Sequence, residues 1–118
     1  MAKIFLDANI LIDLVEKRGE ITPDLFKDNE ALISPLSIHI LMYVLGEKVP
    51  FSKLVKIIEP FSLIDFNEKI CSLALLGPTN DFEDNVQLHS AAEADCNVFL
   101  TRDKKIKGLK FFGKVKID

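Results

Sequence analysis

The sequence predicts an α/β fold: a mainly parallel central sheet of four to five strands, flanked by helices in three layers. Apolar runs of three to six residues recur along the chain, and stretches with helical spacing separate them. Pro, Gly and small polar residues sit at the junctions, where caps and stops belong. The chain has 118 residues, which suits one compact domain spanning residues 1–118 with a single buried core.

The elements follow in order. "KIFLD" reads as a buried strand ending at Asp7, and "NILIDLVEKRG" switches to helical spacing with Gly19 as its stop. Thr22 before Pro23 opens one or two helical turns, and "ALI" is a second strand. "SPLSIHILMYVLGEK" is a mostly apolar helix entered through Ser-Pro and ended at Gly46. "FSKLVKIIEP" is a further helix, stopped by Pro60, and "FSLIDF" a third strand. Asn67 caps "EKICSLALLG", which Gly77 and Pro78 terminate. "DFEDNVQLHSAAEAD" is helical by its Ala content and leading acids; "NVFLT" is a fourth strand and "KVKI" a fifth at the sheet edge.

Composition removes several function classes. Apolar residues make up 48% and charged residues 28%, a globular balance rather than a disordered one. No apolar run approaches the roughly 20 residues of a membrane helix, so the expectation is a cytoplasmic protein without membrane contact. Cys71 and Cys96 form no C-x-x-C pair and read as small buried hydrophobes, not zinc ligands or a disulfide. The net charge of −3 is uneven: residues 101–118 carry +5 and residues 1–100 carry −8. Such a basic end beside an acidic body can orient a polyanion.

In a parallel sheet, ligands collect beyond the carboxyl ends of the strands. Asp7 follows the first strand and Asp103 the "VFLT" strand. Asp81, Glu83 and Asp84 open the helix that feeds that same strand. A right-handed crossover starts that helix on the same face, so three separate segments deliver carboxylates to one rim. Each acid also has an ordinary structural use as a helix cap or turn residue. Crowded together, they repel unless a cation neutralises them. An all-oxygen set suits Mg²⁺ or Mn²⁺, which can activate water against a phosphodiester.

These stretches resemble a known family. "IFLDANILIDL" looks like the opening strand and helix of PIN-domain nucleases, and "DFEDNVQLHSAAEADCNVFLTRDKK" resembles the family's later segment. The resemblance implies that Asp7, Asp84 and Asp103 are the catalytic, metal-binding acids. Asn9 and Thr101 would support them, with Asp81 one turn before Asp84 as a helper. It further implies a metal-dependent endoribonuclease, most often the VapC-like toxin of a toxin–antitoxin pair, with RNA as substrate and a cognate antitoxin as partner. Arg102 and Lys104 are expected, from charge, to contact the RNA backbone. Homodimers are common in the family, and the apolar helices at Ser37–Leu45 and Phe51–Ile58 are the candidate surface.

One position departs from the family pattern. Where these nucleases carry a Glu early in the helix after the second strand, the alignment places Ile40, with Ser37 as the preceding small polar residue. A degenerate PIN module that binds RNA or protein without cutting is therefore the alternative. His39 and Tyr43, one turn apart, are expected as a hydrogen-bonded interior pair, His89 in a packing role, and Phe111 and Phe112 as packing residues. Glu83, about 100° around the helix from Asp84, is expected in solvent. A phospho-receiver domain using Asp65 is a distant third reading, because Ala8 stands where a second acid should follow Asp7.

Overall fold

A computed structural model of the chain describes residues 1–19 and 21–118. Strand β1 (Lys3–Leu6) runs directly into α1 (Ala8–Glu16), and a 3₁₀ turn (Pro23–Phe26) leads to β2 (Glu30–Ile33). Then come α2 (Pro35–Leu45), α3 (Ser52–Ile58), β3 (Ser62–Leu63) and α4 (Glu68–Ala74). The chain continues through α5 (Phe82–Glu93), β4 (Val98–Leu100), α6 (Lys104–Lys107), β5 (Phe111–Phe112) and β6 (Val115–Ile117).

The strands lie in the order β3-β2-β1-β4-β6-β5, and every neighbouring pair is parallel except β5 with β6. β1 is central, with Phe5 opposite Leu32 on one side and Phe99 on the other. Alternation along the strands divides the core into two faces. Phe5, Leu32 and Phe99 pack with Leu88 and Ala91 of α5, and the Phe5 and Phe99 rings stack at 5.6 Å. Leu6, Ala31 and Ile33 face the other way, against Ile10, Leu14, Leu41 and Leu54 of the first three helices. Burying a side chain of this size contributes about 1.5–3 kcal/mol, so each covering helix is held mainly by its apolar stripe.

The α/β reading is borne out, with local corrections. The sheet has six strands among the described residues, not four to five, because the two-residue β5 was too short to read from sequence. "KVKI" is not the edge: it pairs parallel with β4, and β5 turns back antiparallel to cover it. The first helix ends before Gly19, since Lys17 itself takes the left-handed cap conformation with φ 56°. The short helix α6 was not anticipated; the Asp103 side chain nucleates it by accepting from the Lys105 and Ile106 amides. His39 and Tyr43 are no interior pair, because both are exposed, Tyr43 by 83%. The strand order also differs from the 2-1-3-4-5 order of receiver folds, and Asp65 is an exposed residue after β3.

Other readings stand. Ser34 and Asn67 cap α2 and α4, and Gly46 takes the left-handed position after α2. The His89 Nε2 lies 2.8 Å from the Gly77 carbonyl, and its ring stands edge-on to the half-buried Phe112. Phe111 is 59% exposed and so does not pack as expected. Both cysteines are free; Cys96 is buried and Cys71 half-buried. Among the described residues no helix is long and apolar enough to cross a membrane.

Asn85 fixes where α5 begins. Its Oδ1 accepts from the Thr79 amide at 2.8 Å and the Thr79 hydroxyl at 2.6 Å. Its Nδ2 donates to the carbonyls of Ala74 and Thr79, both at 2.9 Å. All four capacities of a buried amide are therefore filled, and the loop between α4 and α5 folds around it. Asn85→Ala leaves these partners unsatisfied. It should cost roughly 2–4 kcal/mol, read as a lower urea midpoint with an unchanged slope.

Candidate active site

The carboxyl ends of β1 and β4 lie side by side, since Leu6 pairs with Leu100. The Asp7 amide donates to the Leu100 carbonyl at 2.9 Å, which extends the ladder by one residue. Asp7 then leaves the strand with extended backbone and caps α1, its Oδ1 accepting from the Ala8 amide at 2.8 Å. Its Oδ2 accepts from the Thr101 hydroxyl at 2.7 Å and from Asn9 Nδ2 at 3.2 Å. Asp7 is only 5% exposed, so these bonds replace water that the carboxyl has lost.

Asp84 enters from the first turn of α5. Asp81 caps that helix by accepting from the Asp84 amide at 3.0 Å, which sets the two acids one turn apart. Asp103, after β4, donates its own amide to Thr101 Oγ1 at 3.0 Å and caps α6. A cleft of about 210 Å³ brings together Asp7, Asn9, Asp81, Asp84 and Asp103. Glu83, Gln87, Ile12 and Ile40 also line it. Among the described residues no three His, Cys, Asp or Glu side chains converge as a closed ligand set; the acids line an open cleft.

Their mutual repulsion is visible in the protonation equilibria. Burial pushes the Asp84 carboxyl up to about 7, and the charges of Asp81, Asp7, Asp103 and Glu83 push the same way. Burial also raises Asp7, and Asp103 adds to the effect, while hydrogen bonds from Thr101, Ala8 and Asn9 oppose it. The donor set consists of carboxylate oxygens with amide and hydroxyl support. That chemistry fits a hard divalent cation, which would relieve the charge crowding.

The other sequence candidates fall unevenly around this cleft. Lys104 is exposed beside Asp103 and forms no ion pair among the described residues. Arg102 does not extend freely as expected, because its Nε lies 2.6 Å from Oδ2 of the buried Asp13. Glu83 is exposed but borders the cleft rather than standing clear of it. Ile40 lies in the cleft wall, at the place the alignment gave to the missing Glu.

Two residues escaped the sequence reading. Gln87, 1% exposed, follows Asp84 by one turn, and its Nε2 donates to Ser37 Oγ at 2.9 Å, tying α5 to α2. Its spacing from Asp81 and Asp84 was the available signal. Asp13 has no assigned role in that reading, although a carboxylate among buried helix positions needs a partner.

Comparison with known proteins bears on the family and the fold. Residues 4–111 match the family model described as "PIN domain". Among solved structures, VapBC2 from Rickettsia felis, bound to a DNA fragment from its promoter, superposes with a TM-score of 0.71. It is 18% identical, and the match covers 98% of this chain and 97% of that one. FitAcB from Neisseria gonorrhoeae gives a TM-score of 0.63 at 13% identity, covering 97% of this chain and 95% of that one. No curated protein sequence matches the chain. At such identities the structural likeness speaks for the fold, and the sequence match for the family. The chain therefore belongs to the PIN domain family.

Proposed function

We propose that this protein is a metal-dependent endoribonuclease that hydrolyses RNA phosphodiester bonds, acting as the toxin of a type II toxin–antitoxin system. The observation that carries the reading is the cleft itself: carboxylates from the ends of β1 and β4 and from α5 crowd one rim, where burial and neighbouring charge raise Asp7 and Asp84. Asp7, Asp84 and Asp103 would hold Mg²⁺ or Mn²⁺. Asp81 lines the same cleft and would share in binding. When bound, such a cation supplies an activated water and offsets the charge that develops on the phosphate.

The chain's own groups perform the rest. Thr101 and Asn9 donate to the same Asp7 oxygen and so hold that carboxylate in one orientation. Asp84 would give up its proton to a bound cation, and Asp81 lines the cleft beside it. Lys104, exposed beside Asp103, would contact the RNA backbone. The toxin role is supported by the family and by structural neighbours that are toxin–antitoxin complexes. For the antitoxin, an apolar cavity of about 530 Å³ between Leu14, Phe26, Ile57 and Phe61, rimmed by Lys27 and Lys56, suits an apolar segment with acidic flanks. Exposed Tyr43, Val44 and Val55 on α2 and α3 support self-association.

A second reading, an RNA- or protein-binding PIN module without cleavage, is favoured by Ile40 standing in the cleft wall. Asp7→Asn keeps the shape of the side chain but removes a ligand charge. Under the nuclease reading, Mn²⁺ binding by calorimetry is lost and cleavage of a mixed RNA pool falls at least about 100-fold. Folded wild-type protein that shows no metal-dependent cleavage above this variant decides for the binding module. Ile40→Glu should restore a carboxylate to the wall and tighten Mn²⁺ binding about tenfold, equivalent to about 1.4 kcal/mol.

The raised Asp84 carboxyl has a consequence for stability. Folding lifts it from 3.8 to about 7, so the native state disfavours its ionised form. Without metal, stability therefore declines as pH rises from about 4 to about 7 and stays lower above that window. Asp84→Asn removes this slope. Its Tm should exceed the wild-type Tm near pH 8 and match it near pH 3, and saturating Mg²⁺ should close the gap near pH 8. A Tm difference that does not change with pH would contradict this assignment.

A further inference from the structure

Asp13 is a carboxylate in an otherwise apolar stretch of α1. Ile10, Leu11, Ile12, Leu14 and Val15 around it are buried, and Asp13 itself is 4% exposed. A charge in such a place opposes folding unless it is paired. Its close partner comes from the loop after β4, where Arg102 Nε lies 2.6 Å from Asp13 Oδ2. Arg18 is a looser neighbour at 4.0 Å and directs its Nη2 to Glu16 at 2.6 Å.

Two more bonds run parallel to this ion pair. The Thr101 hydroxyl donates to Asp7, and the Arg102 amide donates to Asn9 Oδ1 at 3.2 Å. Three polar residues along α1 and its cap thus grip Thr101, the Arg102 backbone and the Arg102 side chain in turn. Asp103 is the next residue, with its amide on Thr101 Oγ1. The direction of this loop determines where the Asp103 carboxyl group enters the cleft.

We propose that Asp13 is a positioning residue of the site: through Arg102 it locks the Thr101–Asp103 segment against α1 and so sets Asp103 relative to Asp7 and Asp84. Its effect on cleavage rests on the nuclease reading above; the lock does not. Arg102 accordingly acts on the site from behind, with Nε committed to Asp13.

The test uses the full chain with Asp13→Asn, Arg102→Gln and both together. Three quantities are measured: amide hydrogen exchange over residues 101–107, Mn²⁺ affinity by calorimetry, and kcat and KM on a single-stranded RNA oligonucleotide. Each single variant should speed exchange at the Asp103 and Lys105 amides about tenfold and weaken Mn²⁺ binding about five- to tenfold. Each should lower kcat while KM stays within about twofold, and the double variant should be no worse than the worse single. Unchanged exchange and Mn²⁺ affinity in both singles overturn the proposal. So does a rise in KM confined to Arg102→Gln, which would make Arg102 a direct phosphate ligand. If Asp13→Asn fails to fold, Arg102→Gln decides alone, because that side chain is 55% exposed and Arg18 stays near Asp13 at 4.0 Å. If the wild type neither binds Mn²⁺ nor cuts RNA, the nuclease reading falls and the exchange data still decide the lock.

Discussion

Asp7 stands where β1 stops and α1 begins, and its carboxyl group ties three parts of the molecule together. One oxygen closes the first turn of α1; the other accepts from Asn9 on that helix and from Thr101 beyond β4. Its backbone meanwhile continues the β1–β4 ladder through the Leu100 carbonyl. The central strand, the helix that follows it and the loop that carries Asp103 therefore share one buried group. Because the surroundings exclude water, each of those hydrogen bonds must be kept, since an unsatisfied buried partner costs about 1–3 kcal/mol. The cleft inherits its geometry from this demand.

The same acids that line the cleft also begin helices. Asp7 caps α1, Asp81 caps α5 and Asp103 caps α6. The structural and chemical uses of these carboxylates are not rivals. Capping aligns each side chain with backbone amides at a fixed position, and that leaves the second oxygen directed by the fold. Asp84 is the exception, for it caps nothing, and burial together with the neighbouring charges pushes its carboxyl up to about 7. Local stability is spent at that residue on a concentration of negative charge, as is common where a protein holds a ligand. Asn85 and Gln87, which follow Asp84 on α5, hold the backbone against this repulsion, Gln87 through Ser37 of α2.

The fold was largely legible because strand and helix periods alternate cleanly and because Ser34, Asn67 and Asp81 announce the helix starts. The elements missed were those with too few residues to show a period: β5 has two residues and α6 has four. The position of β6 inside the sheet depended on which strand it meets, a long-range fact that no local pattern records. The acids were legible as a group because topology sends strand ends and crossover-helix starts to the same rim. Pairings across the sheet were not. Arg102 reads as a free cation until Asp13 is seen behind it, and Gln87 reads as an ordinary helix residue until Ser37 is opposite. His39 and Tyr43 misled for the opposite reason, since an apolar helix suggested burial and the outer face of α2 is uncovered.

Ile40 changes the physics of the cleft as well as its inventory of ligands. With Ile12 it forms an apolar wall beside the acids. An apolar neighbour removes water from the carboxylates, and burial is the leading cause of the upward shift at Asp84. In a less polar medium each remaining carboxylate attracts a cation more strongly, because charge–charge energy varies inversely with the effective dielectric constant. Replacing a Glu by Ile therefore has two opposed effects: one ligand fewer, and a stronger field from those that remain. The crowded acids repel one another, and a bound cation would gain from the same dryness. Burial and neighbouring charge thus hold the Asp84 carboxyl up at about 7, beside an Asp7 that Thr101 and Asn9 keep in one orientation.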